Sequence, residues 1–175
     1  MSESGSANLT FTETFKKAGF SGRVALLLST WFGTGLLPGA PGTFGTLAAL
    51  PLVIVINYLG TACAGISLIG VTILAVWSSG VSQKLMGRDD PPEVVIDEVA
   101  GFLVTIFLLP LSWLSLALGF ALFRAFDILK PFPVRTIDKR VKGGVGIVLD
   151  DLMAGIYANL CVRLLLMLFG YLATR

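Results

Sequence analysis

The chain has 175 residues, of which 55% are hydrophobic and 14% charged, and its mean hydropathy is +0.85. This apolar balance excludes an ordinary soluble domain and indicates a membrane protein. The chain contains no histidine, which excludes Ser-His-Asp hydrolysis, histidine-based phosphoryl transfer and the usual zinc sites.

Long uncharged runs predict the membrane helices. Residues 24–83 and 99–123 contain no charged side chain, and residues 152–174 contain only Arg163. About 20 apolar residues suffice to span a bilayer, so several spans fit. We predict an all-α, polytopic membrane bundle of about five to six helices.

The polar N-terminal segment, residues 1–22, predicts a flexible or interfacial head, because its last part, TFKKAGF, is short and amphipathic. A single helical membrane domain is expected over residues 23–175. Its first helix, from residue 23 to about residue 35, is expected to lie half-inserted in the membrane.

A glycine- and proline-rich stretch, residues 35–46, predicts a loop at or in the membrane. Irregular backbone at that depth must line a polar cavity or be buried in protein, which makes the loop a candidate site element. Thr43 or Thr46 is expected to cap the next helix, whose free N–H groups suit a phosphate. A tight turn without function is the alternative.

Residues 46–59 and 61–84 predict an antiparallel helical hairpin, because Asn and Gly supply turn chemistry between them. Asp90 is then expected to cap a helix opened by two prolines. A break at Pro110 favours two helices, residues 93–109 and 112–129, each ~25 Å long at 1.5 Å per residue and expected to span the membrane.

This second hairpin predicts a convergence of charged side chains. Asp97 lies thirteen residues before the break at residue 110, and Arg124 lies fourteen residues after it. Asp97, Glu98, Arg124 and Asp127 should therefore meet at one end of the hairpin.

The last apolar helix is expected over residues 151–172, with Asp150 and Asp151 at its N-terminus. This places two further carboxylates at a helix end. Arg163, three turns into this helix, is expected either to face the bundle interior or to stretch toward an interface.

The basic residues predict the orientation. Segments 84–98 and 124–151 carry eight Lys and Arg residues, whereas the turns at 57–61 and 110–113 carry none. The charged loops are therefore expected on the cytoplasmic side.

Clustered carboxylates without nitrogen or sulfur ligands suit a hard cation such as Mg²⁺, and the neighbouring basic residues suit a phosphate. Structural roles stay open for these acids. Asp150 could be a helix cap, Asp127 an ion-pair partner of Arg124 and Lys130, and Asp138 part of a charged loop, whereas a purely structural role is hardest to assign to Asp97 and Glu98. The acids considered are Asp97, Glu98, Asp127, Asp138, Asp150 and Asp151.

Two other classes of protein compete with an enzyme. A small ion or metal transporter could use the same carboxylates as a pathway, although they lie at one membrane face and no internal repeat is visible. A non-catalytic protein that binds anionic lipid would need the basic residues but not the acids.

Several motifs together resemble the phosphatidylglycerophosphatase A family. They are GTGLLPGAPGTFGT, the IDE at 96–98, FRAFDILKPFPVRTIDKRVKGGVGIVLDD and the AG that follows, all within residues 33–157. The resemblance implies a Mg²⁺-dependent, all-helical enzyme of the bacterial inner membrane that converts phosphatidylglycerophosphate to phosphatidylglycerol and inorganic phosphate. It implies a phospholipid substrate, and we infer no nucleic acid and no obligate protein partner.

The expected site combines this resemblance with the charged residues. Mg²⁺ held by Asp97, Glu98, Asp150 and Asp151 is expected to polarise the phosphate, while a water activated by the metal or a carboxylate attacks phosphorus. Asp127 is an alternative ligand or base. The expected phosphate-binding residues are Arg124, Lys130, Arg135, Thr43 and Thr46, with backbone N–H groups from residues 39–46.

Overall fold

The computed structural model describes residues 10–173, apart from the side chains of residues 138, 139 and 171–173. Residues 1–9 of the predicted N-terminal head therefore lie outside the described part. The described chain contains eight α-helices, one 3-10 turn and no strand, which confirms the all-α prediction. The helices are α1 Phe11–Lys17, α2 Phe20–Ser29, α3 Pro41–Tyr58, α4 Thr61–Met86, α5 Ile96–Ile106, α6 Trp113–Leu129, α7 Val134–Arg140 and α8 Gly143–Ala173.

The helix count exceeds the predicted five to six because the sequence did not predict two short helices, α1 and α7, which have seven residues each. Helix α1 overlaps the first part of the predicted amphipathic segment, and Thr10 and Glu13 make a capping box at its start. Helix α7 forms within the basic segment that the sequence predicts as a loop.

Three helices, α3, α4 and α8, are long and apolar enough to cross a membrane. The helices predicted over residues 93–109 and 112–129, which correspond to α5 and α6, are not among these three, so the prediction that each of them spans the membrane is not supported. Helix α5 has 11 residues, or ~16 Å at 1.5 Å per residue, against ~30 Å of hydrocarbon. The predicted break near Pro110 is confirmed, since α6 begins at Trp113.

Two polar side chains of α8 satisfy the end of α5. Asn159 Nδ2 donates to three carbonyl oxygens there, and Arg163 Nη2 donates to two. The last carbonyls of a helix have no partner within it, and a cation beside them also offsets the helix dipole. Arg163 therefore faces the bundle and stabilises the C-terminal end of α5. The accepting carbonyls belong to Val104, Thr105, Phe107 and Leu108.

Helix α5 is the centre of the bundle. Its Val99, Phe102 and Ile106 are fully buried, and α3, α4, α8 and α6 all pack against it. Around this centre α3 packs on α4, α4 on α8 and α8 on α6. The ring is incomplete on one side, because α6 and α3 have at most marginal contact.

Glycines set how closely the helices approach. A Cβ on Gly101 of α5 would lie 2.7 Å from the Asp151 carbonyl oxygen, and a Cβ on Gly155 of α8 would overlap the Gly101 carbonyl oxygen. Only glycine allows backbones to pass this close. Gly144 of α8 is pressed against α4 in the same way, beside Val76.

Helix α3 begins earlier than predicted. Pro41 opens it in the first turn, with Ala40 as an N-cap that makes no side-chain hydrogen bond. Thr43 and Thr46 therefore lie inside α3, and the prediction that either caps it is wrong. The glycines that suggested a loop instead let α3 pack closely, since a Cβ on Gly45 would lie 2.7 Å from Val95 Cβ.

Two further predicted helix starts are wrong. Helix α8 begins at Gly143, so Asp150 and Asp151 lie about two turns inside it and Asp150 does not cap it. Helix α5 begins at Ile96 with Val95 at its N-cap, so Asp90 does not cap it either. Residues 143–150, which were expected to lie outside the helix, are thus part of α8. Asp90 lies in the loop before α5.

Candidate active site

One cavity gathers the charged ends of the helices. It has a volume of about 240 Å³ and is formed by the first turns of α3 and α5, the α4–α5 loop, the last turns of α6 and the interior of α8. We call it the charged cavity. Its lining consists of Ala40, Pro41, Gly42, Asp90, Pro91, Pro92, Val94, Asp97, Glu98, Arg124, Asp127, Lys130, Ile147, Asp150 and Asp151.

Three acidic side chains from two helices meet in this cavity, and we call them the carboxylate triad. One oxygen from each of Asp97, Glu98 and Asp151 lies within 4.8 Å of the others, and the two aspartates are buried. Asp97 and Asp151 each lie one helical turn before Gly101 and Gly155, where α5 and α8 come closest. The close helix crossing therefore brings the carboxylates together.

The triad has the donors to hold a metal ion. Asp97 Oδ1 and Glu98 Oε2 are buried and have no hydrogen-bond partner among the described residues. Buried polar atoms without partners are costly, and neighbouring carboxylates repel one another. A cation between them would relieve both costs, and a set of oxygen donors alone suits a hard cation.

Arg124 is the cation beside the triad. Its Nη1 lies 2.8 Å from Asp127 Oδ2 and 3.7 Å from Glu98 Oε1. The predicted convergence of Asp97, Glu98, Arg124 and Asp127 at one end of the α5–α6 hairpin is thus confirmed, since all four line the charged cavity.

Gly42, in the first turn of α3, packs directly on this group. A Cβ there would overlap Glu98 Oε1 and lie 2.9 Å from Arg124 Nη1. With Ala40 and Pro41 also in the lining, the N-terminus of α3 faces the cavity. The free N–H groups of such a terminus favour an anion.

Lys130 brings a second positive charge into the cavity. It ends α6 in a left-handed conformation, with φ of 43°, just before Pro131. Its Nζ donates to Asp150 Oδ2 at 2.6 Å. Asp150 therefore faces the end of α6, beside the triad but outside its group of mutually close oxygens.

Three residues predicted to bind phosphate do not line the cavity. The buried Thr46 hydroxyl donates to the Gly42 carbonyl oxygen at 2.8 Å. Thr43 is half-buried in α3, and Arg135 is exposed on α7. The side chain of Asp138 lies outside the described residues.

Asp90 lines the cavity although sequence reasoning gave it no role in the site. Its φ of 50° lies in the left-handed region, which Asp tolerates better than most residues. The available signal was the Asp-Asp-Pro-Pro run itself, which favours an irregular turn over the start of a helix.

The chain is similar in sequence to known proteins. A model of the family described as phosphatidylglycerophosphatase A matches residues 27–166. A Haemophilus influenzae protein named phosphatidylglycerophosphatase A is 42% identical over 141 residues, covering 78% of this chain and 85% of that protein. An Escherichia coli protein of the same name is 37% identical over 131 residues, covering 74% and 76%.

A third relative carries a different name. A Bacteroides thetaiotaomicron protein, provisionally named a phosphatidylinositol-3-phosphatase, is 36% identical over 148 residues, covering 78% of this chain and 90% of that protein. Both names describe a phosphatase that acts on a phospholipid. No solved structure gives a significant match to the chain.

Proposed function

Because this chain belongs to the phosphatidylglycerophosphatase A family, we propose that it hydrolyses phosphatidylglycerophosphate to phosphatidylglycerol and inorganic phosphate in the charged cavity. One observation carries the placement of the reaction. The carboxylate triad, with its two unpartnered buried oxygens, lies beside the Arg124 guanidinium. A metal-binding acidic group next to a fixed cation suits a phosphate monoester.

We infer that the cation is Mg²⁺, held by Asp97, Glu98 and Asp151, with Asp150 or Asp127 as a further ligand. Mg²⁺ prefers oxygen ligands and binds commonly through one or two carboxylates together with substrate phosphate. Bound there, it would supply a Lewis acid that draws charge from the phosphate oxygens.

The residues of the chain would then bind the phosphate and position the attacking water. Arg124 and Lys130 offset the charge of the phosphate, and the first turn of α3 offers backbone N–H donors. A water oxygen forms a new bond to phosphorus while the ester P–O bond breaks, and the headgroup alcohol leaves with a proton. Asp127, which Arg124 holds at the cavity wall, is placed to orient that water.

We also propose that the charged cavity opens on the cytoplasmic side of the bacterial inner membrane. The support is the concentration of Lys and Arg in the segments that build it, against none in the opposite turns. The substrate would therefore be drawn from the cytoplasmic leaflet.

The test is an assay of the purified protein in detergent. Phosphatidylglycerophosphate, phosphatidylinositol 3-phosphate, phosphatidate and a soluble phosphate ester are each supplied with Mg²⁺, with Ca²⁺ and with excess EDTA. We expect release of phosphate from phosphatidylglycerophosphate with Mg²⁺, little turnover with Ca²⁺ and none in EDTA. Full activity in EDTA would overturn the metal assignment.

The same assay separates the competing classes. A non-catalytic lipid-binding protein would retain the lipid and release no phosphate with any of the four compounds. Preference for phosphatidylinositol 3-phosphate would transfer the proposal to the activity in the name of the Bacteroides relative.

A further inference from the structure

We propose that the gap between α3 and α6 is a groove for an acyl chain of the phospholipid substrate, continuous with the charged cavity. This inference rests on the proposed function, because it takes the substrate to be a membrane lipid. We call the gap the α3–α6 groove.

The ring of helices around α5 is incomplete. Three of the four neighbouring pairs in the ring pack together, namely α3 with α4, α4 with α8, and α8 with α6. Helices α3 and α6 both pack on α5 but have at most marginal contact with each other. Because Phe102 and Ile106 of α5 are fully buried, the gap is a shallow groove. Its floor is formed by the half-buried side chains of Leu50 and Ile54 from α3 and Phe120 from α6, which pack over the buried core.

The gap between α3 and α6 begins at the charged cavity. At its charged end, Arg124 of α6 reaches across to Gly42 of α3, and both line the charged cavity. At its other end lies a second cavity of about 180 Å³, whose walls come from α3, α6 and the segment just before α6. That second cavity is lined by Ile54, Tyr58, Leu111, Ser112, Trp113 and Leu116.

One face of α6 changes from apolar to charged along the helix. Trp113, Leu116, Phe120, Arg124 and Asp127 are spaced three or four residues apart and so share a face. The face is apolar for its first half and charged for its second. Phe120 also lies against the buried Phe102 of α5, with ring centroids 6.4 Å apart.

The dimensions fit a lipid held at both ends. The charged cavity, at about 240 Å³, is small for a whole ligand of drug size, so it suits a headgroup phosphate and leaves the acyl chains outside. From Gly42 to Ile54 the groove runs ~18 Å at 1.5 Å per residue. One leaflet of hydrocarbon is ~15 Å deep, so an acyl chain can follow the groove across its own leaflet.

Other exposed apolar surfaces do not have this continuity. Ile66, Ile69 and Ile73 of α4 are exposed along one face, but none lines either cavity. Such a face is an ordinary lipid contact for a membrane helix. The α3–α6 groove differs because it leads an apolar chain to the carboxylate triad.

A kinetic experiment tests the groove. Ile54→Trp narrows it from the α3 wall at a half-buried position, and Ile69→Trp adds the same bulk on the outer face of α4 as a matched control. Each protein is assayed in detergent with a long-chain phosphatidylglycerophosphate and with a water-soluble dibutanoyl form. We expect Ile54→Trp to raise KM for the long-chain substrate about tenfold, because several methylene contacts are lost, and to leave the dibutanoyl substrate unaffected.

A second measurement uses the unaltered protein. A phosphonate analogue of the long-chain substrate, whose P–C bond is not cleaved, carries a photoreactive diazirine in its acyl chain. We expect labelling of Ile54, Trp113 or Leu116 that excess unlabelled analogue suppresses, with unsaturable labelling on α4. Saturable labelling elsewhere, or an equal loss of both substrates in Ile54→Trp alone, would overturn the groove.

The outcomes also separate the two proposals. If the unaltered protein releases phosphate from neither substrate, the proposed function fails. If it hydrolyses both and Ile54→Trp does not discriminate between them, the function stands and the groove fails.

Discussion

At the residue scale, the site depends on carboxylates whose burial has no structural explanation within the described chain. Asp97 and Asp151 are buried next to each other and to Glu98. Arg124 compensates only part of that negative charge, because its guanidinium is shared with Asp127. An arrangement that costs stability in the absence of a cation suits a group of residues that binds one.

Replacing one of the proposed metal ligands should separate the effect on activity from the effect on stability. We expect Asp97→Asn to lower phosphate release at least roughly 100-fold, since the loss of even outer-shell partners of a metal costs about 10–100-fold. In EDTA its thermal midpoint should be unchanged or raised, because one of several mutually repelling buried carboxylates is removed.

The matched control is Asp89→Asn, at an exposed aspartate that accepts from Gln83 and does not line the charged cavity. It should alter neither quantity appreciably. A parallel loss of folding and activity in Asp97→Asn would favour a structural role for the acid.

Gly42 offers a test of the packing between α3 and the site. In Gly42→Ala the new Cβ would overlap Glu98 Oε1 and crowd Arg124, so both side chains must move. Because a displacement of ~1 Å at an active site can cost about 100-fold in rate, we expect kcat/KM to fall by about that factor with the helical content retained. Circular dichroism and the phosphate assay measure the two quantities.

Gly70→Ala is the control for that substitution, since nothing lies within 4 Å of a Cβ at this position of α4. It should retain full activity. Equal activity of the two alanine variants would show that Glu98 and Arg124 need no fixed position against α3.

At the element scale, the crossing of α5 and α8 determines the geometry of the triad. Gly101 and Gly155 bring the two backbones together, and Asn159 with Arg163 hold the other end of α5. Two helices are thereby fixed to each other at two points. The carboxylates that they carry one turn from the crossing need no support from a loop.

Gly155→Ala should therefore damage both stability and metal binding. Its Cβ would overlap the Gly101 carbonyl oxygen, and overpacking of this kind costs about 1–3 kcal/mol of unfolding free energy. We expect a lower thermal midpoint in detergent and a higher Mg²⁺ concentration for half-maximal rate. Gly170→Ala on the same helix, where nothing lies within 4 Å of the new Cβ, should change neither.

At the scale of the whole molecule, most of the charged side chains of the bundle lie at one end, and Arg163 is an exception at the other. The first turns of α3 and α5, the end of α6 and the interior of α8 all contribute to one cavity. At the opposite end, the turns after α3 and α5 carry no Lys or Arg. This asymmetry predicts a single orientation in the membrane.

Cysteine labelling tests that orientation. In a background with Cys63→Ala and Cys161→Ala, a membrane-impermeant thiol reagent applied to intact cells should not label Arg88→Cys or Lys142→Cys. Ser112→Cys, in the opposite turn, should react. Labelling of both charged-end positions from outside would reverse the orientation and place the cavity on the other face.

The sequence by itself determined the class of protein, the all-helical fold and most of the charged residues around the site. Uncharged runs predicted the helices because the bilayer admits only satisfied backbone, and the break at Pro110 placed Asp97 near Arg124. The charged segments contain neither histidine nor cysteine, so they offer only oxygen ligands, and oxygen ligands predict a hard cation.

Only the tertiary structure decided which carboxylates lie close together. Asp150 and Asp151 are adjacent in sequence, yet Asp151 joins the triad while Asp150 pairs with Lys130, because successive residues of a helix point in different directions. Helix starts at Pro41 and Gly143 were missed for a related reason. Glycine lowers local helix propensity, and its benefit, the close approach of α3 and α8 to neighbouring helices, exists only when those neighbours are in place.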